Sequence, residues 1–232
     1  MANVPLVSVV IPTCNRRALL ERCLTALVHQ THDSFEVIVV DDASSDDTPA
    51  FLASFRAQHP DFALTMLRNA SQSGANPSRN RGVQAARGEF VAFLDNDCMA
   101  EPEWLARLMA GFVSGRVAGV SGLVNDAPPK NVFDLAFKGT HRLHKAGPTH
   151  RLIGGNMCLR RELLLRHRLD EDRAAPLQGR DSRPDVSVSG RGDEEGIYHL
   201  LRAAGYELHY APEAVVLHEH HLSGRAFFRQ AL

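Results

Sequence analysis

The chain has 232 residues, enough for one large domain or two small ones, and its composition, 44% hydrophobic and 23% charged, fits a globular protein with one core. Lysine and arginine total 26 against 27 acidic residues, so no bulk charge directs the protein to nucleic acid and any charged ligand needs a local site. Cys14, Cys23, Cys98 and Cys158 form no CxxC pair, which favours reduced thiols in a cytoplasmic compartment over a disulfide framework.

At the N-terminus "PLVSVVIP" is too short for a signal core, and no segment reaches the roughly 20 apolar residues of a membrane span. Short apolar runs then alternate with helical periodicity, the pattern of an α/β fold with a mainly parallel central sheet covered on both faces. A strand is expected over 7–11, ended by Pro12. Leu19, Leu20, Cys23, Leu24, Leu27 and Val28 recur at helical spacing and predict a helix over 16–30. "FEVIVV" reads as the second strand and "SSDDT" as cap chemistry for the helix after it. "FALTML" reads as the third strand, "NRGVQAARG" as a helix closed by Gly88, and "EFVAFL" as the fourth strand. Further on, "VAGVSGLV" and "IGGNMCLR" read as strands, and "DEEGIYHLLRAAG" as a helix with a glycine C-cap. "YELHYAPEAVVLH" reads as two short strands around a turn. Residues 170–192, rich in Arg, Asp, Pro, Ser and Gly, read as a long loop, a candidate lid. The terminal "SGRAFFRQAL" reads as a docked helix or as an amphipathic surface helix suited to peripheral membrane association.

Polar residues gather at the carboxyl ends of the expected strands, where open α/β sheets form their ligand crevice. Thr13 and Asn15 follow the first strand, Asp41 and Asp42 close the second, and Asp95 and Asp97 close the fourth. Turn and cap roles account for any one of them singly. Two positions apart in extended backbone, Asp95 and Asp97 leave the chain on one side and together suit a hard cation, Mg²⁺ or Mn²⁺. A cation held by one or two carboxylates keeps positions open for phosphate oxygens, which points to a nucleotide diphosphate.

In order, "VSVVIPTCNR", "FEVIVVDDASSDDT", "SRNRGVQAARGEFVAFLDNDC", "GGNMCLRRE" and "GDEEGIYHLLRAAGYELHYAPEAVVLH" resemble the family 2 glycosyltransferases of GT-A fold, from about residue 7 to 218. The resemblance implies one GT-A domain: a nucleotide-binding half over about 1–98, and an acceptor and catalytic half over about 99–232. It implies an inverting transferase that uses a nucleotide diphosphate sugar, with Mn²⁺ or Mg²⁺ on the diphosphate. By the same resemblance Pro12, Thr13 and Asn15 line the nucleoside pocket. Asp42 accepts from the base, with Asp41 free to cap its loop, and Arg79, Asn80 and Asn96 lie near the nucleotide. Asp95 and Asp97 match the metal motif, Asp97 as the direct ligand, with Asn96 between them turned away. Gly155 and Asn156 match a strand end near the donor sugar, although Gly154 and Gly155 also read as a bulge. Glu194, beside Asp193, aligns with the general base, although acids there also suit a helix N-terminus. His218 aligns with a histidine near metal and diphosphate; His220 and His221 read equally as a solvated turn.

The family's processive synthases carry membrane helices and a Gln-x-x-Arg-Trp motif. Here the sole tryptophan is Trp104 and neither feature is present, so transfer of a single sugar is expected, most readily from a UDP-sugar, to a hydroxyl of a polysaccharide, glycolipid or other glycoconjugate acceptor. Cytoplasmic action, including at the inner membrane face, goes with that reading. Two other classes stay open. A metal-dependent hydrolase would use Asp95, Asp97, His218 and His220 but leaves Asp42 and "RNRG" unexplained. A nucleotide-sugar-binding protein of the same fold would lack turnover.

Overall fold

The structure, a computed structural model, describes residues 6–127, 145–169 and 195–219. The candidate lid, the terminal helix, Asp193, Glu194, His220 and His221 lie outside the described residues. In chain order the elements are β1 (Val7–Thr13), α1 (Arg17–Val28), β2 (Phe35–Asp41), α2 (Thr48–Gln58), β3 (Leu64–Arg68), α3 (Ala75–Ala85), β4 (Phe90–Leu94) and β5 (Cys98–Ala100). There follow α4 (Trp104–Ala110), β6 (Val117–Asp126), β7 (Gly147–Thr149), β8 (Asn156–Arg160), α5 (Arg161–Arg166), α6 (Glu195–Ala203) and β9 (Glu207–His218).

The sheet runs β3-β2-β1-β4-β8-β6-β9-β5, with β7 on β9. Strands β3, β2, β1 and β4 are mutually parallel, β8 is antiparallel to both β4 and β6, and β9 is parallel to β6. The expected mixed, mainly parallel α/β sheet is therefore present. Its first half is a doubly covered core. Val9, Ile11, Val37, Val39, Ala92 and Leu94 face a layer that includes Leu20, Leu24, Leu27 and Trp104, while Val10, Ile38, Val40, Val91 and Phe93 face Val83, Leu163 and Leu201. Burial on both faces is why these strands read as unbroken apolar runs.

Four local expectations are corrected. The first strand continues through Pro12 to Thr13, because pairing with β4 stops at Val10 and the missing proline N–H costs no bond on that side. Helix α3 ends at Ala85, and Gly88 serves another purpose: a Cβ there would lie 2.7 Å from the Ser8 backbone nitrogen, so only glycine lets the chain pass β1 this closely. The segment around Pro212 is not a turn. Register against β6 jumps from Gly122↔Ala211 to Leu123↔Val215, so a bulge takes up 212–214 and β9 stays one strand. Glycines 154 and 155 form a turn rather than a bulge, closed by the Asn156 N–H donating to the Ile153 carbonyl at 2.9 Å. The glycine cap of α6 is present: Gly205 has φ +83°, and the Tyr206 N–H donates back to the Leu201 carbonyl.

At the amino ends of the strands, Glu36 of β2 is buried beside Ser8 of β1. Its carboxylate accepts from the Ser8 hydroxyl, from the Arg87 backbone N–H and from the Arg87 guanidinium. Burial pushes this carboxyl up, but the Arg87 and Ser8 hydrogen bonds outweigh it and hold the group below the usual glutamate range. A carboxyl with a depressed folded-state pKa stabilises the fold above its unfolded value and loses that contribution as pH falls through the folded value. Glu36→Gln is therefore expected to lower stability at pH 7 by about 1–3 kcal/mol. The gap to wild type should close progressively below the unfolded glutamate value of ~4.3. Denaturant unfolding from pH 7 to 3.5 tests this, and a gap that stays constant would overturn it.

Candidate active site

The carboxyl ends of β1, β2 and β4 and the end of β9 converge on one rim of the sheet, and most of the sequence-derived residues come with them. Asn15 has φ +52°, a left-handed conformation that asparagine tolerates. Its amide oxygen accepts from the Ser45 N–H, the Ser45 hydroxyl and the Asp46 N–H, at 2.7 to 3.3 Å. That stitches the loop after β1 to the loop after β2. Asp41 is buried, caps the Ser44 N–H and pairs with Arg68. The expected capping role is what the geometry gives it.

Asp42 is surrounded by donors of its own chain. It accepts from Asn69 Nδ2, from the Ser73 hydroxyl and N–H, and from the Gly74 N–H at 2.8 Å. Gly74 precedes α3, so the carboxylate sits against that helix's N-terminal partial positive charge. Burial pushes its carboxyl up, yet these hydrogen bonds hold it below the usual aspartate range. Asn80 is likewise engaged. Its side-chain amide donates to the Leu169 carbonyl at 2.9 Å and accepts from the Leu169 N–H at 3.0 Å, which ties α3 to the residue just before 170.

Asp95, Asn96 and Asp97 do not continue the strand. The Cys98 N–H donates to the Asp95 carbonyl at 3.0 Å, so the three residues lie in a tight turn between β4 and β5 and the same-side argument for an extended backbone fails. Each side chain has its own surroundings. Asn96 is buried and donates to the Thr13 hydroxyl at 2.8 Å. Asp95 Oδ1 accepts from Arg79 Nη2 at 2.7 Å, and Arg79, with only 6% of its side chain exposed, also donates to Asn76. Asp97 turns to the other end of the rim. Its Oδ2 accepts from Arg16 at 2.7 Å and its Oδ1 lies 3.6 Å from His218 Nε2.

Strand pairing brings Asp97 and His218 together. Cys98 pairs with His218 across β5 and β9, and the Glu219 N–H donates to the Asp97 carbonyl at 2.9 Å. On the far side β6 sets Asp126 opposite His218, with Asp126 Oδ1 3.7 Å from His218 Nδ1. Burial pushes the Asp97 carboxyl up, but His218 and Arg16 outweigh it and hold it below the ordinary range. Burial likewise lowers the His218 pKa, but Asp97, Asp95 and Asp126 raise it by more. Among the described residues no three His, Cys, Asp or Glu side chains surround a single point. The donor set still suits a hard cation shared with phosphate. One carboxylate oxygen and one imidazole nitrogen face each other at 3.6 Å, near the ~3 Å separation of neighbouring ligands around an ion held at about 2.1 Å.

Gly155 lies against Asp95. A Cβ there would come 2.6 Å from Asp95 Oδ2, so the absence of a side chain is what leaves the carboxylate room. Gly155→Ala is expected to push Asp95 off Arg79 and, should this rim bind a nucleotide through a metal, to weaken that binding about tenfold, while the melting temperature of the free protein falls by no more than a few degrees. Calorimetric titration checks this; an unchanged affinity would detach Asp95 from the site. Asn156, expected near the donor sugar, is fully buried. Its Oδ1 accepts from Trp104 Nε1 at 2.8 Å, and its Nδ2 donates to the carbonyls of Leu123 and Ala214.

Sequence reasoning alone assigns no site role to Arg16, Asp126 or Glu219. Arg16 directly follows Asn15, and Asp126 ends a strand expected to stop at 124. The strand-end rule that found the other acids reaches Asp126 once β6 is given its full length.

Comparison with known proteins identifies the family and the fold. The family model "Glycosyl transferase family 2" matches residues 8–168, more than half of the chain. The chain is 35% identical over 108 residues to glycosyltransferase AglE of Haloferax volcanii, which covers 46% of this chain and 35% of that protein. It is 39% identical over 93 residues to the GalNAc(5)-diNAcBac-PP-undecaprenol beta-1,3-glucosyltransferase of Campylobacter jejuni, covering 40% of this chain and 30% of that protein. These matches span about a third of the length of those curated relatives. Among solved structures, the mannosyltransferase PcManGT from Pyrobaculum calidifontis, in complex with GDP-Man and Mn²⁺, superposes with a TM-score of 0.71 at 24% identity, over 93% of this chain and 57% of that one. TarS of S. aureus in complex with UDP-GlcNAc gives 0.70 at 18% identity, over 94% and 59%. The fold is thus GT-A, and the chain belongs to the family 2 glycosyltransferases.

Proposed function

We propose that the chain carries the donor site of an inverting, non-processive glycosyltransferase, which moves a sugar from a nucleotide diphosphate sugar, a UDP-sugar first, to an acceptor hydroxyl. The observation that carries this reading is the facing pair Asp97 and His218 at 3.6 Å, on the strand-end rim of a family 2 chain. Neighbours of the same fold crystallised with GDP-Man and Mn²⁺ or with UDP-GlcNAc support the donor class. Relatives named for undecaprenol-linked glucosyl transfer and for teichuronic acid biosynthesis support a polysaccharide or glycolipid acceptor. Among the described residues no helix is long and apolar enough to cross a membrane. The proposed setting is cytoplasmic, with peripheral contact at the inner membrane face.

In this reading Asp97 and His218 hold Mn²⁺ or Mg²⁺, and Asp95, fixed by Arg79, is the second acid facing the diphosphate. When bound, the cation would offset charge on the leaving diphosphate. Pro12, Thr13 and Asn15 form the nucleoside side of the cleft. Asp42 shapes that side by anchoring residues 69–74, and any contact it makes with a base shares a carboxylate already crowded with donors. Asn96 and Asn80 support this wall through Thr13 and Leu169. Glu194, with Asp193 beside it, takes the proton of the acceptor hydroxyl as that oxygen bonds to the anomeric carbon and the carbon–phosphate oxygen bond breaks on the opposite face. The anomeric centre is inverted and the enzyme forms no covalent intermediate.

A thermal-shift panel of UDP, GDP and dTDP, each with and without Mn²⁺, tests the reading. One nucleotide is expected to raise the melting temperature only when Mn²⁺ is present. Ligand at about a hundred times its Kd adds ~2.7 kcal/mol. For a domain of this size that is about 5–10 °C. If no nucleotide gives a metal-dependent shift, the reading fails.

A further inference from the structure

Each acid of the turn between β4 and β5 has its own arginine, and the two arginines differ. Arg79 is buried on α3, with 6% of its side chain exposed, and is fixed by Asn76 as well as by Asp95. Arg16 stands at the start of α1 with 52% of its side chain exposed, and it reaches Asp97 at 2.7 Å across the mouth of the site. Its backbone is fixed, because the Arg16 carbonyl accepts from the Leu19 and Leu20 N–H groups, while its side chain reaches out from that anchor. Asp97 itself is largely enclosed, with 13% of its side chain exposed. A carboxylate so enclosed needs a counter-ion, and one oxygen faces His218 while the other is taken by the guanidinium.

We propose that Arg16 is an internal counter-ion for Asp97 that competes with the divalent cation, so that the cation enters readily only with a diphosphate. The proposal rests on Asp97 being a metal ligand, as above. A cation binding alone to Asp97 would stand beside the positive guanidinium, or would have to release it from a charge-assisted hydrogen bond. A cation arriving with a diphosphate brings negative charge that offsets the guanidinium. Arg79 cannot yield in the same manner, because its burial and its bond to Asn76 hold it in place. Metal and nucleotide therefore bind with positive coupling, and linkage requires each to raise the affinity of the other by the same factor. Arg16 sets part of that factor.

Mn²⁺ alone is the probe, with free ion counted by electron paramagnetic resonance, in wild type and in Arg16→Gln, Arg16→Lys and Asp97→Asn. Arg16 lies at the surface, so its substitution is not expected to impair folding, and circular dichroism verifies that. Arg16→Gln should tighten Mn²⁺ binding about five- to tenfold, Arg16→Lys should stay within about twofold of wild type, and Asp97→Asn should abolish site binding. Equal tightening by glutamine and lysine would show that charge is not the cause and would overturn the proposal. So would unchanged or weaker Mn²⁺ binding in Arg16→Gln while Asp97→Asn still abolishes it. If Asp97→Asn leaves Mn²⁺ binding intact, Asp97 is not the ligand and the metal reading falls with the proposal.

Discussion

Asp97→Ala is expected to abolish the Mn²⁺-dependent rise in melting temperature that a nucleotide diphosphate gives the wild type, and to reduce sugar transfer by about 10²–10³-fold. The magnitude follows from chemistry. Metal stabilisation of a leaving diphosphate contributes several kcal/mol, and each 1.36 kcal/mol is tenfold in rate. The free protein should also lose some stability, because Asp97 is largely enclosed and paired with His218 as well as with Arg16, so the nucleotide-induced rise is read against each variant's own melting temperature. Asp95→Ala is the informative comparison. Its carboxylate is more exposed, at 38%, and already bound by Arg79, so a smaller loss of metal affinity is expected. Equal losses at both positions would show that the two acids share the ion despite their different surroundings. A full metal-dependent shift in Asp97→Ala would remove this residue from the metal site.

The parallel half of the fold was legible because its chemistry is redundant. "SVVI", "EVIVV" and "FVAFL" are buried on both faces, so strand identity is written in every residue rather than in a weak alternation. The second half hides its signals. β5 and β7 are three residues each, too short to show a period, and β9 contains Pro212, which reads as a break until a bulge against β6 accommodates it. The rule that strands end where ligands sit points to Thr13, Asp42 and Asp97, while His218 comes from the family resemblance alone. What a linear reading could not give was the direction of each side chain. Asp95 and Asp97 look like twins two residues apart, yet a turn sends one to Arg79 and the other to Arg16 and His218. The resemblance supplied the positions; the hydrogen bonds separate residues that can meet a ligand from residues that hold the rim in place.

Asn156 falls in the second group, and its substitution should cost stability before it costs affinity. It stands at the start of β8, beside the bulge in the pairing of β6 with β9. A Cβ on Gly122 would lie 2.0 Å from the Ala214 carbonyl oxygen and 2.5 Å from Asn156 Nδ2, so glycine is what lets the strands approach and the amide fit between them. That one amide meets three groups on three elements: the Trp104 indole N–H of α4, the Leu123 carbonyl of β6 and the Ala214 carbonyl of β9. Removing it leaves the fully buried Trp104 donor without this acceptor and takes one donor from each of two strand carbonyls, losses of about 1–3 kcal/mol each that are not strictly additive. Asn156→Ala is expected to lose about 3–5 kcal/mol, a fall of about 6–20 °C in melting temperature for a domain of this size. Trp104→Phe removes the indole donor together with the pyrrole half of a fully buried ring, so it should lose about 2–4 kcal/mol, part of it from the cavity left behind. If Asn156→Ala instead melts with the wild type but raises the KM for the donor sugar, the amide faces the ligand rather than the core. Unfolding curves and donor titrations on the same two proteins separate these outcomes, because a buried three-way bond and a sugar contact move different measurements.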